Sequence, residues 1–224
     1  MQKHLFNLGL IFFSLFEGCS EASSPIQQET VDYLKPKLNS DRIEYFFGSF
    51  AVDVLDIHSP AFPGSRISNL YSTNNGKKIM RTLAVVDFFQ PTSPELLNAH
   101  CEIMEGKAIG IALRDHGWSI NKKPLYFGSI ILSPAVMDWM DELLDNQGAL
   151  HIYRLDVSKK DQSETIPYCT IIEVQSPQYL SIEWLQALYP DQYKSFSNQT
   201  DEVGALLSRL KILLQTFPLP RERK

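Results

Sequence analysis

The segment Arg66–Phe88 reads RISNLYSTNNGKKIMRTLAVVDF, and it decides the fold. Residues Arg66–Ser72 and Ile79–Phe88 have the composition of β-strands, and Asn74-Asn75-Gly76 lies between them. Asparagine and glycine tolerate the positive φ angles that tight hairpin turns require. The segment therefore predicts two antiparallel strands joined by a short turn.

Further strand-like runs occur on both sides of this hairpin. A segment with the alternating pattern of a half-buried strand precedes the hairpin, and two more pairs of strand-like runs follow it. These predicted strands cover residues 50–57, 118–120 with 125–132 around a turn at 121–124, and 149–157 with 166–174 joined by a charged loop. Successive strands linked by turns are typical of an antiparallel sheet.

Helices are predicted between these strands from their start signals and apolar stripes. Ser93-Pro94-Glu95 and Ser133-Pro134 each combine a capping serine with a first-turn proline. The predicted helices cover residues 41–47, 94–105, 108–116, 134–147, 181–189 and 200–217. The sequence therefore predicts an α+β fold, with an antiparallel sheet built from hairpins and several flanking helices, in a single domain at residues 40–220.

Composition narrows the class of function. The 224 residues carry a formal net charge of -5 and have a sequence pI near 5.5, whereas general nucleic-acid binders are basic. The sequence contains no dinucleotide-binding fingerprint, Gly-x-Ser-x-Gly elbow, Cys-x-x-Cys pair or pair of histidines four residues apart. We therefore predict no nucleic-acid partner, no cofactor and no metal site.

The N-terminus has the layout of an export signal. Residues Met1–Lys3 form a short, positively charged segment, and Leu5–Phe16 is an almost continuous apolar run. A helix over that run would rise about 18 Å, which is short of the roughly 30 Å hydrocarbon core of a membrane. We therefore predict that residues 1–18 are a signal peptide and not a transmembrane anchor.

The apolar run closes with Phe16-Glu17-Gly18-Cys19-Ser20, which resembles the cleavage box of bacterial lipoproteins. The resemblance implies cleavage before Cys19, lipid on its thiol and new amino group, and, from Ser20, a periplasmic protein anchored to the outer membrane. Ordinary cleavage after Ser20-Glu21-Ala22 is the alternative, and it would release a soluble periplasmic protein. Residues 19–39 are polar and are predicted to form a tether.

Two further cysteines, Cys101 and Cys169, remain in the mature chain. In an oxidising compartment they either form a disulfide or stay as free thiols, and the sequence favours neither outcome. As free thiols they allow a second function, an envelope hydrolase in which one cysteine is the nucleophile and a histidine is the base. The histidines considered for that base are His58, His100, His116 and His151.

Polar residues on the strands of the first hairpin suggest a ligand site. Arg66, Asn69, Tyr71 and Arg81 are the residues expected to line an anion-binding groove. Alternation along a strand places Asn69 and Tyr71 on the same face, although solvent exposure of that face explains the pattern equally well.

Three blocks, Arg66–Ser72, Arg81–Val86 and Gly117–Ile120, resemble pieces of an uncharacterised family of Gram-negative bacterial proteins. The resemblance implies a bacterial source, extends over most of the chain after residue 40 and carries over no catalytic residue. We therefore expect an exported, lipid-anchored envelope protein. It would act as a non-catalytic binding or accessory module, with another envelope protein or a small ligand as its partner.

Overall fold

The computed structural model of the chain describes residues 26–56, 59–89, 93–143, 145–159, 164–190 and 200–217. The fold is α+β, as predicted, with one six-stranded antiparallel sheet in the order β1-β2-β3-β6-β5-β4. The strands are β1 Ala51–Asp56, β2 Arg66–Asn74, β3 Lys77–Phe88, β4 Trp118–Ile131, β5 Gln147–Lys159 and β6 Ile166–Gln175. The helices are α1 Gln28–Leu34, α2 Asn39–Phe47, α3 Pro94–Met104, α4 Ile109–Asp115, α5 Pro134–Met140, α6 Ile182–Leu188 and α7 Asp201–Thr216.

The hairpin that the sequence marks most clearly is confirmed. Strands β2 and β3 pair from Arg66 opposite Val86 to Asn74 opposite Lys77. The turn between them has φ angles of 49° at Asn75 and 79° at Gly76, which is the left-handed conformation that these residues tolerate.

The sheet consists of two three-stranded meanders that meet at its centre. Strands β1, β2 and β3 form the first meander, and β4, β5 and β6 form the second. The two are joined by the antiparallel pairing of β3 with β6, from Thr82 opposite Gln175 to Phe88 opposite Cys169.

Two predicted boundaries are wrong. Residues 121–124 form no turn, because β4 runs continuously from Trp118 to Ile131. Pro124 is tolerated there because β4 is an edge strand, paired with β5 alone, and its register shifts between Pro124 and Tyr126. Helix α5 ends at Met140 and not near Gln147, since Asp141 adopts a left-handed conformation with φ 57°.

The two faces of the sheet are covered by different helices. Leu83 and Val85 of β3 face a core formed with α5 and α7, whereas Val86 faces the opposite side, where α3 and α4 pack. Helices α1, α2 and α6 cover the rest of that opposite side. We call the side under α5 and α7 the first face and the other side the second face.

Part of the predicted tether belongs to the folded domain. Residues 28–34 form α1, whose Val31 and Leu34 are buried. Arg42 of α2 ties α1 down, because its Nε donates to the carbonyl oxygen of Leu34 at 2.9 Å and its Nη2 to that of Lys35 at 3.0 Å. A tether over the whole of residues 19–39 is therefore wrong for this stretch, while residues 1–25, with the predicted signal peptide and Cys19, lie outside the described residues.

The packing of α1 is tested by truncating a side chain. Leu34 is 0% exposed, so Leu34→Ala should lower the free energy of unfolding by about 2 to 5 kcal/mol. Leu143 is 89% exposed, so the matched control Leu143→Ala should change it by less than about 0.5 kcal/mol. Urea unfolding measures both variants, and equal stability of the two would show that α1 does not pack on the domain.

Candidate functional site

A cavity of about 70 Å³ opens on the second face, between the two groups of helices. Its floor is formed by strands of both meanders, and its rim by the start of α2 and the start of α4. Most of its wall is apolar, including Val86, Leu155 and Ile171. The polar residues that line it are Asn39, Ser40, Arg66, Lys122, Tyr153 and Glu173. An apolar pocket with a few convergent polar groups is the usual form of a small-molecule site.

Glu173, a buried carboxylate on the central strand β6, organises one side of the cavity. Its Oε1 accepts hydrogen bonds from Asn39 Nδ2 at 3.2 Å and from the Tyr153 hydroxyl at 3.1 Å, and its Oε2 accepts one from Gln175 Nε2 at 3.3 Å. Within the described residues, no lysine, arginine or histidine lies within ion-pair distance of Glu173. Three neutral donors therefore stabilise this carboxylate.

The donors to Glu173 are themselves held in place. Asn39 accepts from the Tyr179 hydroxyl at 2.6 Å through its Oδ1, and Gln175 accepts from Thr82 Oγ1 at 2.6 Å. Burial, followed by the charge of Glu173, raises the pKa of Tyr153 well above its ordinary value, so its hydroxyl stays protonated and donates. The network is consequently fixed across strands β3, β5 and β6 and helix α2.

Arg66 lies on the opposite side of the cavity and is almost fully buried. Its Nε donates to Ser68 Oγ at 2.8 Å, and its Nη1 donates to the carbonyl oxygens of Ile103 and of Lys107, the latter at 3.1 Å. Burial lowers the pKa of Arg66 to about 10, which leaves the side chain charged at neutral pH. Arg66 therefore fixes the joint between α3 and α4, yet no described carboxylate forms an ion pair with it.

The predicted groove of Arg66, Asn69, Tyr71 and Arg81 does not assemble. Arg81 has no partner in the β2–β3 register, and this bulge lets its guanidinium stack on Phe47 of α2 at 3.6 Å. Tyr71 lies under Lys78, whose Nζ is 4.6 Å from the ring centroid. Of the four residues, Arg66 lines the cavity, while Asn69, Tyr71 and Arg81 do not.

The described cysteines and histidines do not form a catalytic pair. Cys101 and Cys169 are free thiols, so the disulfide left open by the sequence is absent: Cys101 is exposed on α3, whereas Cys169 is buried in β6. His100 Nδ1 lies 3.0 Å from the Tyr168 hydroxyl, and His116 Nε2 lies 3.0 Å from Glu102 Oε1. His58 lies outside the described residues.

His151 is buried among aromatic rings and not beside a thiol. Its ring stacks on Phe127 with centroids 4.3 Å apart and also contacts Tyr153 and Tyr189. Its Nε2 has no hydrogen-bond partner in the part of the chain that the structure describes. Burial, followed by the charges of Lys122 and Arg42, lowers the pKa of His151 well below its ordinary value.

Glu173, Lys122, Asn39 and Tyr153 are site residues that the sequence analysis missed. A signal for Glu173 was present, because it interrupts the strand sequence IPYCTIIEVQ after a run of apolar residues. A charged residue in a buried strand is costly unless it is hydrogen-bonded, so its position indicates a polar network. Lys122 and Asn39 carry no such signal, since their roles depend on the edge strand and on the start of α2.

A second, larger groove of about 590 Å³ lies between β4, the start of α5 and α7. Among the described residues that line this groove, Lys211 is the one with a charge, and it is exposed. The rest of the wall is largely apolar. This groove therefore has no buried charged residue among its described lining residues, whereas the first cavity has Arg66 and Glu173.

In the described ranges, no group of three or more His, Cys, Asp or Glu side chains is arranged to hold a metal ion. No described helix is long and apolar enough to cross a membrane.

The chain matches no protein-family model and no curated protein sequence. The cavity offers a charged donor, hydrogen-bonding groups and apolar walls, which are the parts of a binding site. Its described lining residues include no cysteine and no histidine, so the predicted Cys/His pair is not found there.

The environments of the two thiols predict different reactivity. Burial raises the pKa of Cys169 well above its ordinary value, so both access and thiolate formation are suppressed there. We expect iodoacetamide to modify Cys101 in the native protein and Cys169 only after denaturation. Peptide mass mapping without reductant measures this, with Cys101→Ser as the control. Two unreactive thiols after denaturation would show a disulfide.

The buried His151 predicts a loss of stability in mild acid. Because its pKa is lowered in the folded state, the unfolded chain binds the proton first, and stability falls as the pH drops below about 6.5. The loss should reach up to about 1.4 kcal/mol per pH unit. Urea unfolding across this range should show a smaller slope for His151→Phe, which retains an aromatic ring. Identical slopes would contradict a neutral buried His151.

Proposed function

We propose that this chain is an exported, lipid-anchored protein of the bacterial envelope whose domain is a non-catalytic binding module for a small ligand. The observation that carries the binding role is the cavity on the second face, which is bounded by the charged side chains of Arg66, Lys122 and Glu173 and by apolar walls. Pockets with this combination bind ligands by shape and by a few oriented polar groups.

The anchoring half of the proposal is supported by the N-terminal sequence. Gly18 and Cys19 follow an apolar run too short to span a membrane, and they match the cleavage box of bacterial lipoproteins. Several acyl chains give stable membrane attachment, whereas a single chain gives marginal binding. We place the protein in the periplasm, attached to the outer membrane, with the lipid on Cys19 as its contact with that membrane.

The hydrolase alternative receives no support from the described geometry. It requires a thiol beside an imidazole, and Cys169 is buried with a raised pKa while His100 and His116 bond to other residues. A binding role needs none of these pairs. It needs an accessible cavity with groups that can recognise a ligand.

Anchoring is tested by comparing the wild type with Cys19→Ala in a Gram-negative host. We expect the wild type in the outer-membrane fraction, with added lipid mass on a chain that starts at Cys19, and the variant without lipid and outside that fraction. The matched control is Cys101→Ala, which replaces an exposed cysteine elsewhere in the chain and should remain lipidated. Membrane fractionation and intact mass measure all three proteins.

Two outcomes would contradict the anchoring proposal. Soluble periplasmic protein beginning at Ser23 in both the wild type and Cys19→Ala would show ordinary signal cleavage and no lipid. Retention of the whole N-terminus in the cytoplasm would contradict export itself.

A further inference from the structure

We propose that the cavity on the second face binds a small organic carboxylate and that Arg66 is the residue that recognises it. This inference rests on the proposed binding function. Arginine presents several N–H groups in a planar fork that matches the two oxygens of a carboxylate. The ligand's short apolar part would lie against the aliphatic wall.

The Arg66 guanidinium is a buried charge without a carboxylate partner among the described residues. A buried charge is normally paired with an opposite charge, because removing it from water is costly. Arg66 is 2% exposed and charged at neutral pH, yet its described hydrogen-bond partners are one hydroxyl and two carbonyl oxygens. A carboxylate in the cavity would supply the missing negative charge.

The size of the cavity limits the ligand. A volume of about 70 Å³ compares with the roughly 150 Å³ of an engineered cavity that holds benzene, which has six heavy atoms. About half that volume suits a ligand of roughly three to four heavy atoms. Acetate has four, so the class is a carboxylate with one further carbon.

The charge balance of the cavity also favours an anion. Lys122 adds a second positive charge and lies 4.7 Å from the ring centroid of Tyr153. Glu173 is the opposing charge, but both of its oxygens already accept hydrogen bonds. Strand β3 lies between the strands of Arg66 and Glu173, so their backbones are about 10 Å apart across the sheet. A small anion at Arg66 can therefore avoid Glu173.

Three isosteric probes separate the possible recognition modes. Acetate, acetamide and acetamidinium have the same heavy-atom skeleton and differ in charge. We expect acetate to raise the Tm of the full chain by roughly 3 to 5 °C at ten times its dissociation constant, at ionic strength matched with chloride. Acetamide and acetamidinium should leave the Tm unchanged.

Variants then locate the binding site. Ala84 lies on the floor of the cavity, so Ala84→Leu should fill it and abolish the acetate shift while leaving Arg66 in place. The same substitution on the exposed side of α7, Ala205→Leu, is the matched control and should keep the shift. Circular dichroism shows that each variant is folded.

A second pair of variants tests the charge without repacking the core. Lys122→Gln should weaken acetate binding, because it removes a positive charge from the cavity lining. The exposed Lys35→Gln makes the same change of charge away from the cavity and should not alter binding. This pair keeps the inference testable if Ala84→Leu fails to fold.

Several outcomes would overturn the carboxylate assignment. An equal shift with acetamide would show an apolar cavity without charge recognition, and a shift with acetamidinium alone would show recognition by Glu173. An acetate shift that persists in folded Ala84→Leu would show binding elsewhere, and no shift with any probe would show that the cavity takes no ligand of this size. The fractionation experiment is independent of these results, so anchoring and ligand class can fail separately.

Discussion

The pairing of β3 with β6 is the constraint on which the rest of the structure depends. Within each meander the strands pair with their neighbours in sequence, and among the described strands the β3–β6 ladder is the pairing that joins the two meanders into a single sheet. The cavity lies across it, with Ala84 and Val86 on one side and Ile171 and Glu173 on the other. The Thr82 to Gln175 hydrogen bond crosses the same seam between side chains. The site therefore exists only when the two halves of the chain are joined in this register.

The two faces of the sheet have different chemistry because they are covered differently. Helix α7 spans the first face and packs one long apolar stripe against it. The second face is covered by two separate helix groups, and the gap between them leaves sheet positions that apolar side chains do not fill. Polar residues buried at that gap must find hydrogen-bond partners within the protein. Glu173 accepts hydrogen bonds from three neutral donors, whereas the described partners of Arg66 are one hydroxyl and two carbonyl oxygens, with no carboxylate among them.

Local signals in the sequence predicted most of the fold. The Asn75-Gly76 turn and the capping serines Ser93 and Ser133 act within a few residues of themselves, and the elements that they mark are present. The errors occur where tertiary context overrides such signals. Pro124 reads as a turn residue but is accepted by an edge strand, and the polar residues before Asn39 read as a tether although Leu34 is buried.

The site was less predictable than the fold for a physical reason. Strand alternation shows which residues share a face, but it does not show how strands far apart in the sequence align. Arg66 was identified because its charge stands out, while its supposed partner Arg81 is displaced by a bulge that no local pattern marks. Glu173 becomes recognisable only once β6 is known to be central and paired on both sides.

The strand order also affects the order in which the parts of the domain can fold. Each meander can form from neighbouring residues, but the central ladder joins Thr82 to Gln175 and must wait until nearly the whole chain is available. Contacts between residues so distant in the sequence slow folding, because the intervening chain loses entropy before the contact forms. Until then the edges of β3 and β6 remain unpaired and open to association with other chains. We therefore expect the joining of the two halves to be the slow step of folding and the stage at which the protein is most exposed to aggregation.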